Sequence, residues 1–377
     1  MFKKLLAGLV LAVCVEHALP QDSDSLNDDD GTAIEQPLAL KDNDFVYEPL
    51  DMEEASNDVI SAALECAPQI LLRFSKKISS NDVKKLAMTL ANYRLARSYS
   101  YNVQKEGKSS VVVLCPNYMS CVKMIRAIHD PKSITLSPKE TEALSRAQEI
   151  IRTLNLDNLT NTAKAHVIHD WLVANCAYDV PGLKRGFRVY KDSESYSPYD
   201  GKYMILEQKG VCDSYAQAYW LLLQMSGVPS CMIFGASKKG SQRHCWNLVY
   251  LDDHWGHIDV TWDDPIPDVP DRVVDWYFDL SDKEMAKTHK WNKNLFSAEH
   301  KVLHFDHVED FVAFLRKQKK KESSYTITIA NAQERENFDE IVAQEAQKLG
   351  VRESIFSAAD VFFPGALHVR IQRKRSK

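Results

Sequence analysis

After its first fifteen residues the chain has no long apolar run, and nowhere does it show a glycine-rich phosphate loop, a dinucleotide fingerprint or zinc-finger spacing. The first absence leaves no candidate membrane helix in the body of the protein. The others leave no sequence signal for a nucleotide, a dinucleotide cofactor or a structural zinc, and no cofactor or metal is expected. Charge of one sign is also lacking: 47 Lys and Arg stand against 52 Asp and Glu, a net −5 over 377 residues, which gives no reason to expect nucleic acid as a partner. The short basic tail from Arg370 to Lys377 reads as a solvated end.

The one apolar run lies at the N-terminus. Lys3-Lys4 followed by Leu5–Val15 has the charge, length and position of a secretory signal (residues 1–18) and is too short to span a bilayer. A secreted, periplasmic or cell-surface protein is expected, with Cys14 as an alternative lipoprotein anchor that Val13 disfavours. Between Gln21 and Asp58 there are thirteen acidic residues and one lysine, so residues 19–60 read as a disordered acidic linker. Of the eight cysteines, Cys66, Cys115, Cys121, Cys176, Cys231 and Cys245 remain once Cys14 and Cys212 are set aside. Six allow up to three disulfides in an exported protein, or buried free thiols.

The rest divides into three parts. Residues 66–132 read as a small βαββ module: strand 70–74, helix 81–93, strands 98–103 and 110–114, then a helix near 118–128. Residues 322–375 repeat the order, with strand 325–330, helix 337–349 and strands 353–357 and 368–371. Between them lies a core, residues 135–305. It opens with helices at 138–154 and 160–175, continues through a polar loop from Asp179 to Gly201 that is a candidate lid or substrate wall, and ends in strands. Helices first and an antiparallel sheet after give an α+β order.

Chemistry concentrates in residues 208–265. From Ser214 the apolar positions Tyr215, Ala218, Tyr219, Leu222 and Leu223 recur at helical spacing, and Gly227 with Pro229 ends the run. Gly210 suits a tight entry turn and places Cys212 in the first helical turn. Unpaired backbone N–H groups there favour a thiolate and could later hold an oxyanion. A buried cysteine capping a core helix is the plain alternative.

Residues 244–251 and 254–262 read as two strands joined by an Asp252-Asp253 turn. That register sets Leu251 against His254, Trp246 against Asp259 and His244 against Thr261, so His244, Trp246, Asp259 and Thr261 share a face. His244 and Asp259 become diagonal neighbours within side-chain reach, but Asp263 satisfies the same parity, and register alone does not choose between them.

The elements Val211-Cys212-Asp213-Ser214-Tyr215-Ala216, His244-Cys245-Trp246-Asn247 and Asp259-Val260-Thr261-Trp262-Asp263-Asp264-Pro265 together resemble the transglutaminase-like superfamily. The likeness extends to the helix Val167–Leu172 and to Trp276–Met285, about residues 160–290. Asp213, Ser214 and Cys245 depart from commoner residues at their positions without touching the triad. The resemblance implies a papain-like α+β core in which Cys212 is the nucleophile, His244 the base and Asp259, rather than Asp263, the orienting carboxylate. It also implies acyl transfer on protein or peptide amides through a Cys212 thioester, with an amine or water as acceptor.

Gln208, Tyr203 and Trp246 are candidate oxyanion or substrate contacts. A zinc site of His244, His254 and His257 is disfavoured, because His254 sits at the turn and His257 falls on the face away from Asp259. His169-Asp170 reads as a packed, hydrogen-bonded pair in a helix. The competing function is a non-catalytic binding or structural module, with the flanking modules contacting the cell envelope.

Overall fold

A computed structural model describes residues 12–13, 45–49, 52–79, 81–83, 86, 94–185, 195–239, 242–264, 266–268, 272–293, 296–299, 301–317, 324–348, 354–359 and 366–372. The architecture is α+β, and the chain divides into one compact unit ending at Glu299 and another beginning at His300. No described helix is long and apolar enough to cross a membrane.

The first unit opens with a sheet of β1 (Ala12–Val13), β2 (Phe45–Tyr47), β3 (Ile70–Phe74), β4 (Arg94–Glu106) and β5 (Ser109–Tyr118), in the order β1-β4-β5-β3-β2. β4 and β5 form the expected hairpin, longer than its apolar run predicts. β3 pairs antiparallel with β5, Ile70 opposite Leu114. The helix expected over 81–93 is present at residues 81–83 and 86, and its remainder lies outside the described residues.

One expectation fails here. Part of the proposed disordered linker is ordered, because β2 and α1 (Met52–Leu64) lie within or across it. Composition hid the pattern: amid the acidic residues, Ala55, Val59, Ala62 and Ala63 recur at helical spacing and are all buried.

α2 (Ser120–His129) follows β5 and is tied to α3 (Pro138–Leu154) by Lys123 Nζ, 2.8 Å from Glu140 Oε1. α3 starts in a capping box between Ser137 and Glu140, and α4 (Asn161–Asn175) starts on a Thr160 cap, both where the sequence places them. Next come β6 (Ala177–Tyr178), α5 (Val180–Arg185), α6 (Gly201–Glu207) and β7 (Lys209–Gly210). The expected loop 179–201 thus contains a helical turn, pinned where Asp179 accepts the Gly182 N–H and the Tyr196 hydroxyl; residues 186–194 lie outside the described set.

β6 pairs in parallel with β7, and α7 (Cys212–Met225) begins two residues later. Gly210 is needed here for space: a Cβ would collide with Ser214 Oγ and sit 3.0 Å from the Pro198 carbonyl oxygen. Residues 213–223 are all buried, so α7 is the central helix of the unit. It stops at Gly227, whose φ of +73° allows the Val228 N–H to reach the Leu223 carbonyl.

α7 packs on β8 (Ser230–Ser237) and β9 (Arg243–Leu251), with Trp220 Nε1 donating to the Ser230 carbonyl and Asn247 Nδ2 to that of Ala216. β10 (His254–Ile258) and β11 (His289–Lys290) complete an antiparallel sheet ordered β10-β9-β8-β11. The hairpin register is the expected one, His254 opposite Leu251 through Ile258 opposite Asn247. The second strand ends four residues early, however. Asp259 caps the one-turn helix α8 (Val260–Asp263), which takes Thr261 out of the ladder. α9 (Asp282–Met285) lies between α8 and β11.

No disulfide joins any two of the seven described cysteines. Cys66, Cys121, Cys176, Cys231 and Cys245 are buried, and burial pushes the Cys66 thiol up to about 12. Cys14 lies outside the described residues.

The second unit has β12 (Val302–Phe305), α10 (Val308–Lys317), β13 (Ser324–Ile329), α11 (Ala332–Glu336), α12 (Phe338–Lys348), β14 (Ser354–Ala359) and β15 (Ala366–Gln372). The expected strand, helix and two strands are there, but β12 joins them, pairing in parallel with β13 in a sheet ordered β12-β13-β15-β14. Its core is Phe311, Tyr325, Ile327, Ile329, Phe338 and Val369.

Candidate active site

Cys212 is the first residue of α7, at the end where backbone N–H groups lack helical partners. The preceding Val211 supplies no side-chain cap. The β6–β7 pairing brings Tyr178 alongside, and its phenol oxygen accepts the Cys212 backbone N–H. Burial and the neighbouring sulfur both push the Tyr178 hydroxyl up, so it stays protonated.

His244 enters from β9, buried to 6 % exposure. Its Nε2 lies 2.6 Å from Asp259 Oδ2, and it hydrogen-bonds the Cys212 sulfur, for which Nδ1 is the nitrogen left. Burial opposes charge on this ring, but the Asp259 carboxylate outweighs it, and the imidazole is pushed up to about 10. The ring lies near two indoles, with centroids 5.9 Å from Trp246 and 5.5 Å from Trp262. Aromatic rings this close favour the imidazolium.

Asp259 is fully buried and accepts four hydrogen bonds. Oδ1 takes the backbone N–H groups of Thr261 (3.1 Å) and Trp262 (3.3 Å), and Oδ2 takes His244 and His289 Nε2 (3.1 Å). Burial alone would raise this carboxyl, but His244 and then His289 hold it down at about 2. The backbone is anchored as well, because the Asp259 N–H donates to the Tyr277 carbonyl at 2.9 Å.

Asp263 is committed elsewhere. Its Oδ2 lies 3.1 Å from His169 Nε2 and its Oδ1 3.0 Å from the Tyr277 N–H. His169 also contacts Asp170 at 2.9 Å, as its reading as a packed histidine anticipates; burial opposes its charge, but the two carboxylates raise it.

The other candidates are more dispersed. Trp246 is buried and its indole N–H goes to His257 Nδ1 at 3.1 Å, so it packs on His244 with no hydrogen left for a substrate. Because an indole only donates, His257 must carry its proton on Nε2, which faces Asp282 Oδ1 at 2.8 Å. Tyr203 is buried in α6 with its ring 5.6 Å from Tyr196. Gln208, half-buried, caps α6 at φ +50° four residues before Cys212.

His254 is bound to Asp253 and Asp279 near the turn, away from His244. Among the described residues, the cluster whose spacing could hold a metal is a different one: ligand atoms of His244, Asp259 and His289 all lie within 4.8 Å of one another, though each is engaged in hydrogen bonds within the group. His289 and Tyr178 are the residues that sequence reading missed. His289 stands just past the last quoted element of the family likeness, and Tyr178 on a two-residue strand with no periodic signal.

Part of the chain is similar to known proteins. The model of the transglutaminase-like superfamily matches residues 146–260, which span α7, β9 and the start of α8. Kyphoscoliosis peptidase of Homo sapiens is 25% identical over 141 residues, 35% of this chain and 20% of that protein. The Mus musculus protein of the same name matches with the same identity and coverage. The chain therefore spans about a fifth of the length of these curated relatives. A solved structure titled as that of a TGase covers 75% of this chain and 68% of its own at 15% identity, with a TM-score of 0.31. Over residues 146–260 the chain is therefore similar to the transglutaminase-like superfamily.

Proposed function

We propose that this protein is a cysteine-dependent acyl-transfer enzyme acting on protein or peptide amides, with Cys212 as nucleophile, His244 as base and Asp259 as orienting carboxylate. One observation carries the reading: a single imidazole bridges a buried carboxylate at 2.6 Å and a cysteine sulfur at the start of a helix.

The Cys212 proton resides on His244 as imidazolium beside Asp259, and the sulfur attacks the amide carbonyl carbon as thiolate. The tetrahedral oxyanion forms where the helix-terminal N–H groups point, its oxygen replacing Tyr178 on the Cys212 N–H, and Gln208 is the remaining candidate for a second donor. As the C–N bond breaks, imidazolium His244 returns its proton to the leaving nitrogen and a thioester remains. His244 then takes a proton from the acceptor, which attacks the thioester and frees the thiol. Asp259 holds the ring in the Nε2–H form and stabilises it when charged. The peptidase name of the curated relatives supports water as acceptor.

The test incubates the full chain with casein and follows new N-termini, ammonia release and incorporation of a fluorescent primary amine together. New N-termini that vanish in Cys212→Ala are expected. Cysteine-dependent amine incorporation instead would make the acceptor an amine, and no signal above the Cys212→Ala control in any channel would overturn the catalytic reading. Export is part of the same proposal and rests on Lys3-Lys4 and the Leu5–Val15 run. Recovery of protein outside the expressing cell with a new N-terminus near residue 18 is the expected result.

A further inference from the structure

We infer that His289 is a positioning residue of the same site: it occupies the last acceptor position of Asp259 and keeps that carboxylate turned toward His244. The inference rests on the proposed role of Asp259 and extends it to a second histidine from a different strand.

An ionised carboxylate has about four lone-pair positions. On Asp259, two are taken by the Thr261 and Trp262 N–H groups and one by His244, and His289 Nε2 at 3.1 Å takes the fourth. Because Asp259 can only accept, Nε2 of His289 must carry a hydrogen. Its Nδ1 lies 2.8 Å from Thr288 Oγ1, whose hydroxyl is 3.4 Å from its other acceptor, the Met285 carbonyl. The Thr288 hydroxyl is thus the hydrogen-bond partner of Nδ1, while Nε2 faces Asp259.

The ring is held as firmly as its protons. Its centroid is 4.3 Å from Trp262, 4.8 Å from Trp246 and 5.7 Å from Tyr277. The titratable groups facing it are Asp259 at the head of α8, His244 on β9 at 5.2 Å, His257 on β10 and Tyr277 from the segment before α9. Without the His289 donor, Oδ2 would keep one partner in a dry site. The carboxylate would then be free to turn, and harder to ionise.

The test measures iodoacetamide alkylation of Cys212 in the full chain as a function of pH, in wild type, His289→Gln (a donor kept) and His289→Leu (similar bulk, no donor). Wild type and His289→Gln are expected to share one acid limb. In His289→Leu that limb moves up by about one pH unit, so that at a pH on the wild-type limb the rate drops roughly tenfold, the loss expected for one charged hydrogen bond. Superimposable wild-type and His289→Leu profiles would overturn the inference, since a purely packing role lowers the amount of folded protein without moving the limb.

Should His289→Leu fail to fold, histidine-resolved nitrogen NMR of the wild-type chain decides. A hydrogen on Nε2 of His289, shifted downfield by a carboxylate, is expected, and a hydrogen on Nδ1 alone would sink the idea. The two readings fail separately. A wild-type Cys212 that alkylates like a free thiol, unchanged in His244→Ala, defeats the catalytic proposal, while the tautomer still reports on His289.

Discussion

Asp263 and His169 form a second buried carboxylate–imidazole pair, 3.1 Å between Oδ2 and Nε2, one helical turn from the pair of Asp259 and His244. The two aspartates are four residues apart at either end of α8 and face different histidines on different elements. This separation makes their substitutions distinguishable.

Asp259→Ala is expected to reduce kcat/KM by roughly a thousandfold or more, as when a triad loses its orienting carboxylate. Asp263→Ala leaves His169 and the Tyr277 N–H short of an acceptor and costs about 3 kcal/mol of stability. Its activity per titrated active site stays within about fivefold of wild type, since its partners are not those of His244. Thermal melts and active-site titration measured together check both.

Cys212 reactivity reports the base directly. In His244→Ala, alkylation by iodoacetamide at pH 7 is expected to slow by about tenfold or more and to climb with pH as an ordinary thiol does. Wild type should react readily well below that range. Identical profiles would remove His244 from the proposed chemistry.

The buried pair also sets a pH window for stability. Asp259 is depressed to about 2, so its contribution is complete above the ordinary carboxylate value and lost as pH falls toward about 2. His244 is raised to about 10, so its contribution is complete below the ordinary histidine value and lost as pH rises through about 10. The two describe one ion pair and are not added. The difference in Tm between wild type and Asp259→Asn should therefore be level from pH 5 to 6 and shrink toward both extremes.

Asp264 titrates in the opposite sense. Burial, with help from Asp268, raises its carboxyl to about 7 despite the Tyr215 hydroxyl that donates to it, and its Oδ1 has no partner. A carboxyl raised in the folded state binds more protons folded than unfolded, so stability falls as pH climbs from about 4 through 7. Asp264→Asn should raise Tm at pH 8 and change it little at pH 4.5. A variant equally stabilised at both values would contradict this account.

Much of this was legible beforehand because it is local. The helix starts near 138 and 160, the stop at Gly227 and the two-residue turn at Asp252 follow from short-range backbone chemistry, and all four stand where expected. What failed depended on competition between signals. The acidic run around residues 52–58 obscured four apolar positions on one face of α1, and the apolar Val260 and Trp262 looked like continued strand although Asp259 was poised to cap a helix.

The sequence by itself determined the order Cys212, His244, Asp259, the helix and strand that carry the first two, and the hairpin parity that sets His244 near Asp259. Parity has a period of two and cannot separate Asp259 from Asp263. Family resemblance favoured Asp259, and tertiary structure separates the two physically, bringing His169 of α4 to Asp263, and His244 and His289 to Asp259. It also brought Tyr178 to the Cys212 N–H across the β6–β7 pairing. Hydrogen bonds between residues 30 to 94 positions apart leave no periodic trace in the chain, because they depend on how elements pack rather than on the conformation of any one of them.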